Sequence, residues 1–253
     1  MADSTNDSGA AGGLLKIGLI GGLSFPSTIT YYDRINRMVN QRLGRAHSPR
    51  IVLDSLDFQP MVEWLAARNG PAVTDALVES AERLEAAGAD FVAICCNTVH
   101  EFAADVESRI RLPLVNICRC TADEAARRGA ATVGLLGSSF SMEEAFYRDE
   151  FEAQGMKVAV PAPADRAFVQ NAIETELPRG DVSPATRERF LRIARDLLRG
   201  GADVLVLACT EIPLVIRPQD IDAPLLDTVE VHTAAIVAHA LGRTAAPALT
   251  GSR

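Results

Sequence analysis

Five cysteines, Cys95, Cys96, Cys118, Cys120 and Cys209, are the side chains of this 253-residue chain with the greatest latent reactivity. Two of them occupy matched places. Cys96 ends the run Gly88-Ala89-Asp90-Phe91-Val92-Ala93-Ile94-Cys95-Cys96, and Cys209 ends Gly201-Ala202-Asp203-Val204-Leu205-Val206-Leu207-Ala208-Cys209. Each therefore closes an unbroken apolar segment, which reads as a buried parallel strand, and precedes a turn toward a helix. Ligands of open α/β sheets bind beyond the carboxyl ends of the strands. Two thiols at equivalent ends of two facing units would stand on opposite sides of one ligand. One, as thiolate, could take a proton from a carbon while the other, as thiol, returns one to the opposite face. A helix N-terminus beside them predicts that at least one thiol titrates below the ordinary ~8.5.

The residues around the pair supply polar groups. Asn97 and Thr98 follow the first thiol, and Thr210 and Glu211 the second. Amides and hydroxyls of this kind can hold an α-carboxylate and an ammonium group, and they are also good helix caps. Cys95 points away from Cys96 in an alternating strand, and Cys118 and Cys120 read as small packing residues. Adjacent and alternate cysteines do not make the usual C-x₂-C metal knuckle, so no metal is expected. His100, four residues past Cys96, could tune the thiol or simply pack. His47, His232 and His239 read as structural or exposed, and Trp64 as packing. Gly21-Gly22 follows a strand but completes neither a dinucleotide nor a P-loop motif.

These residues need elements to place them. Aliphatic strand candidates alternate with helix-period segments, among them Ser27–Leu43, Ala72–Ala87, Met142–Gln154 and Arg166–Leu177. Three landmarks recur in order. Lys16–Ser24 echoes Thr132–Phe140, Gly88–Thr98 echoes Gly201–Glu211, and Leu112–Asn116 echoes Ala223–Asp227. The expectation is an α/β protein of two similar flavodoxin-like parallel-sheet units related by pseudo-two-fold symmetry, with the site in the cleft between them. The first unit is expected over 14–113 plus 225–242 and the second over 114–224. Residues 1–13, polar and small with no secretory leader pattern, and the tail 243–253 are expected to be disordered.

Composition narrows the function further. A chain of this length buries about three-quarters of its unfolded surface, so it needs neither disulfide nor metal to hold a core. Net charge is −8 and aromatics are 5% of residues, which disfavours a nucleic-acid partner. No apolar run approaches the ~18 residues of a membrane span. An odd number of cysteines without a leader suits a reducing cytoplasm.

The segments Gly21–Asn36 (GGLSFPSTITYYDRIN), Cys96–His100 (CNTVH) and Cys209–Ile212 (CTEI) resemble the aspartate/glutamate racemase family, over about Lys16–Leu241. The CTEI motif is most similar to the aspartate racemase branch. The resemblance implies cofactor-independent racemisation of an amino acid, acidic in its side chain, with Cys96 and Cys209 as the two bases. It implies that Asn97, Thr98, Thr210, Glu211 and the backbone near Leu23 and Ser24 hold the head group. Ser138 and Ser139, in the Gly137–Ser141 stretch, become carboxylate donors in the second unit. For the side-chain carboxylate, the loop after the second strand offers Gln59 in place of the family's Arg, and Arg166 is the cation near the family's Lys. A homodimer is implied as well. The alternatives are a maleate isomerase-like enzyme of the same superfamily and a non-catalytic two-lobed binding protein.

Overall fold

The computed structural model describes residues 14–180 and 182–242. The expectations for 1–13 and 243–253 lie outside the described residues. Among those described, eight strands form two four-stranded sheets, parallel throughout. The first sheet joins β1 (Ile17–Gly21), β2 (Ile51–Ser55), β3 (Phe91–Ile94) and β4 (Leu114–Val115) in the order β2-β1-β3-β4. The second joins β5 (Thr132–Gly137), β6 (Lys157–Ala159), β7 (Val204–Ala208) and β8 (Leu225–Asp227) in the order β6-β5-β7-β8. The repeat seen in the sequence is thus a repeat of topology. The central strands β1, β3 and β7 are buried along their whole length, as strands covered on both faces must be.

Helices cover both faces of each sheet. On the first, α1 (Phe25–Leu43) and α10 (Thr228–Ala240) pack Tyr31, Ile35, Ile236 and Val237 against Ile17, Leu19 and Phe91. On the opposite face, α3 (Gly70–Ala86) and α4 (Ala103–Arg109) pack Leu77, Ala81 and Val106 against Ile20 and Val92. The second sheet carries α5 (Ile117–Arg127) and α7 (Ala145–Ala153) on one face, with Ala122, Tyr147 and Phe151 against Val133 and Val206. Its other face carries α8 (Pro163–Thr175) and α9 (Pro184–Arg199), with Val169, Phe190 and Ile193 against Leu136 and Leu205.

Two boundaries differ from the sequence reading. Leu114 was expected to open the second unit, but β4 pairs with β3 through Val92↔Leu114. The strand after Pro224 was expected on the first unit, but β8 pairs with β7 through Leu205↔Leu225. Each strand stays with the sheet before it, because a right-handed crossover delivers it to the neighbouring edge. Only the next helix changes sides. Asn116 caps α5 by accepting from the amides of Cys118 and Arg119, and Asp227 caps α10 by accepting from Val229 and Glu230. These caps are the matched last residues of the repeated Leu112–Asn116 and Ala223–Asp227 segments. Helix α10 is apolar around its circumference because it touches both cores, with Val231 in the second and Val229 in the first.

Two local differences concern helices. The single helix expected over Met142–Gln154 is α6 (Ser139–Glu143) followed by α7, with extended backbone at Glu144, whose carboxylate meets Arg68. Helix α2 (Phe58–Ala66) was not anticipated; Asp57 caps it by accepting from the Gln59 amide.

Candidate active site

In a sheet of order 2-1-3-4, the chain leaves β1 and β3 in opposite directions, which opens a crevice beyond their carboxyl ends. The crevice of the first sheet presents Gly22–Ser27 after β1 and Cys96–Thr98 after β3. That of the second presents Ser138 after β5 and Cys209–Glu211 after β7. All these residues line one cavity of about 890 Å³. Gly22 makes the first turn possible. Its φ is +80°, and a Cβ there would lie 2.1 Å from the Leu56 carbonyl oxygen, so only glycine fits.

The two halves are joined at the cavity wall by side chains. Thr98 Oγ1 is 3.3 Å from Ser138 Oγ, and the Tyr147 hydroxyl donates to Asn97 Oδ1 at 2.5 Å. Asn97 is buried, and its oxygen is occupied by this bond. His100 does not touch a thiol. Its Nδ1 is 2.7 Å from the Cys96 carbonyl oxygen, and its Nε2 accepts from the Ile117 amide at 3.3 Å. That pair of contacts fixes the neutral tautomer with hydrogen on Nδ1, and ties the Cys96 turn to the start of α5. His232, read from the sequence as structural or exposed, is structural: it is buried between the Tyr31 hydroxyl and the Val115 carbonyl.

The structure corrects the expectation of an acidified thiol. Each cysteine is followed by a short 3₁₀ turn, Thr98–Phe102 or Ile212–Leu214, in place of an α-helix. Burial pushes the Cys96 thiol up from its ordinary value. Amide hydrogen bonds from Val99 and Thr98 pull it back, the charge of Glu211 raises it, and the Thr98 hydroxyl lowers it. Burial pushes Cys209 higher, the Glu211 carboxylate adds to that, and the amides of Glu211 and Ile212 pull it back in part. Cys95 and Cys118 are fully buried in the cores and Cys120 packs beside them, so burial raises all three, Cys120 to about 12.

The pattern of the Asp/Glu/Hydantoin racemase family matches residues 20–236. The chain belongs to this family. A curated relative of this racemase is the broad specificity amino-acid racemase RacX of Bacillus subtilis, 21% identical, the alignment covering 84% of this chain and 92% of that one. The glutamate racemase of Methylococcus capsulatus is 32% identical over 51% of this chain and 46% of its own. Among solved structures, a Yersinia pestis protein assigned to the Asp/Glu racemases superposes with TM-score 0.86 at 36% identity, over 90% of this chain and all of that one (100%). An aspartate racemase homologue from Pyrococcus horikoshii gives 0.79 at 29%, over 89% and 99%. The protein is an isomerase of this class, with the two-sheet α/β fold of its relatives.

Not every residue expected at the racemase site reaches it. Leu23, Ser24, Cys96, Asn97, Thr98, Ser138, Cys209, Thr210 and Glu211 line the cavity. Gln59, Ser139 and Arg166 do not. Gln59 sits on the outer side of α2 and donates to Glu63. Ser139 is the first residue of α6, its amide donating to Gln170. Arg166 is engaged by Glu143 and by the Pro161 carbonyl. The cation that does line the cavity is Arg179, in the turn after α8, beside Leu177 and Gly180. Asp57, Phe25, Phe58 and Leu214 also line it. The Pro178-Arg179-Gly180 sequence is a turn signal, and nothing in it says that the turn folds back over the cleft.

Among the described residues, no three His, Cys, Asp or Glu side chains converge as metal ligands, and no helix is long and apolar enough to cross a membrane.

Proposed function

We propose that this racemase interconverts the enantiomers of an amino acid, acidic in its side chain, by moving protons at the α-carbon between Cys96 and Cys209. One observation carries the reading: a thiol from each sheet's switch point lines the same cavity. In one direction Cys96 takes the α-proton and Cys209 delivers its own to the opposite face. The reverse direction exchanges the roles. The Asn97 NH₂, the Thr98, Ser138 and Thr210 hydroxyls and the backbone at Leu23 and Ser24 hold the head group. Arg179 is the cationic partner for the second carboxylate, the role assigned from sequence to Arg166.

No pyridoxal phosphate enters this scheme; the barrier is lowered by positioning and by two-sided proton transfer. The free thiol pair suits a reducing cytoplasm. The homodimer implied by the family resemblance is proposed with them. The test is incubation of purified protein with single enantiomers of aspartate, glutamate and neutral amino acids without added cofactor, followed by chiral analysis. Both enantiomers of an acidic substrate should reach the same even mixture. Absence of interconversion for every amino acid would refute the reading.

A further inference from the structure

The two thiols stand in unlike surroundings. Cys96 faces donors: the amides of Thr98 and Val99 and the Thr98 hydroxyl. Cys209 likewise has amide donors, those of Glu211 and Ile212, but it alone also faces an acceptor, its Sγ donating to Glu211 Oε2 at 3.0 Å. The same oxygen accepts from Thr210 Oγ1, so the carboxylate is held against the thiol from its own loop. A thiolate at Cys209 would keep its amide donors but lose the S–H···O bond and meet a carboxylate oxygen at contact distance. A thiolate at Cys96 would keep every donor it has.

We propose that Glu211 is a positioning residue that keeps Cys209 in its thiol form in the resting protein, leaving Cys96 as the resting base. This rests on the racemase reading above. The free enzyme then receives the enantiomer whose α-proton faces Cys96. The Cα–H bond breaks as the proton joins Cys96 Sγ, and the electron pair left on carbon takes the proton of Cys209 Sγ. Product release leaves Cys96 as thiol and Cys209 as thiolate against Glu211. That form is the less stable of the two, and it returns to the resting one by taking a proton from water at Cys209 and losing one at Cys96. The charged and titratable groups facing Glu211 are Cys209 on its own loop and Cys96, in the turn after β3, across the cleft; Asp57 and Arg179 line the same cavity. Arg179 is exposed and Asp57 caps α2, whereas Glu211 directly contacts Cys209 and Thr210 of its own loop.

The experiment is alkylation of the substrate-free full chain with iodoacetamide from neutral to alkaline pH, with the rate at each cysteine read by peptide mapping. Wild type should label Cys96 before Cys209, and the Cys209 rate should rise at higher pH. One unit between the two midpoints is about a tenfold rate ratio at pH below both. In Glu211→Gln that ratio should shrink about tenfold, chiefly by faster labelling of Cys209, and Glu211→Asp should restore the order. Equal labelling in wild type, or a ratio unmoved in Glu211→Gln, would overturn the assignment. Wild-type α-deuteration in D₂O is measured alongside. Loss of the labelling order with deuteration intact refutes the role of Glu211 alone. The order intact without deuteration supports that role and refutes the racemase reading.

Discussion

In a two-base racemase, inversion at the α-carbon needs a base on one face and an acid on the other in the same bound state, so each thiol is indispensable in both directions. Cys96→Ala and Cys209→Ala should each lower racemisation of either enantiomer by about 10²–10⁴-fold, the usual worth of a general acid or base. Polarimetry on both enantiomers checks this, and full activity in either variant would refute the two-thiol scheme. Arg179→Ala should weaken kcat/KM for aspartate by about tenfold, since a hydrogen bond to a charged group contributes about 1.5 kcal/mol or more. A neutral substrate should be unaffected, and steady-state kinetics on the two substrates separates the cases. The thiols were legible in the sequence because the repeat fixes their position against a strand end. The matched caps Asn116 and Asp227 were legible as an echo for the same reason. Arg179 was not, because which loop cation reaches a cleft depends on how a turn folds back. Nor was the direction of the thiol shift, which burial decides, and burial is a property of the assembled site.

At the level of elements, the alternation of strand and helix was readable because apolar runs and helical periodicity survive in a single chain. Sheet membership of the short strands was less so. Residues Leu114–Val115 and Leu225–Asp227 are too few to carry a signal of their own, and the helix after each was the stronger cue to a crossing. Helix α2 was hidden by Pro60 early in its span, although Asp57 is a good cap. Gly22 tests how tightly the first crevice is built. Gly22→Ala places a methyl into the Leu56 backbone in a left-handed conformation, so a loss of about 2 kcal/mol or more is expected. Urea unfolding measures it, and an unchanged midpoint would mean that the turn has another conformation available. Asn116→Ala removes an acceptor from two α5 amides and should cost about 1 kcal/mol in the same assay.

Over the whole molecule, the junction of the two sheets is built around imidazoles that must stay neutral. Burial lowers His100 to about 4 and His232 to about 3. Both would bind a proton near 6.5 once unfolded. The unfolded state therefore takes up more protons below that value, and stability rises with pH through this range. The contribution is fully present above about 6.5 and is lost progressively as pH falls toward 4. Urea midpoints should fall between neutral pH and pH near 5, before most carboxylates titrate, and His232→Gln should flatten that dependence. A flat profile in wild type would contradict it. Beside the same junction lies the proposed catalytic pair, whose two thiols are to work on opposite faces of one carbon. The most direct measurement is the isotopic composition of both enantiomers early in the conversion of a single enantiomer of aspartate in D₂O. Two bases predict a product carrying deuterium at the α-carbon while the remaining substrate keeps its protium. A product that retains the substrate's own α-proton would show that a single base returns the proton it removed.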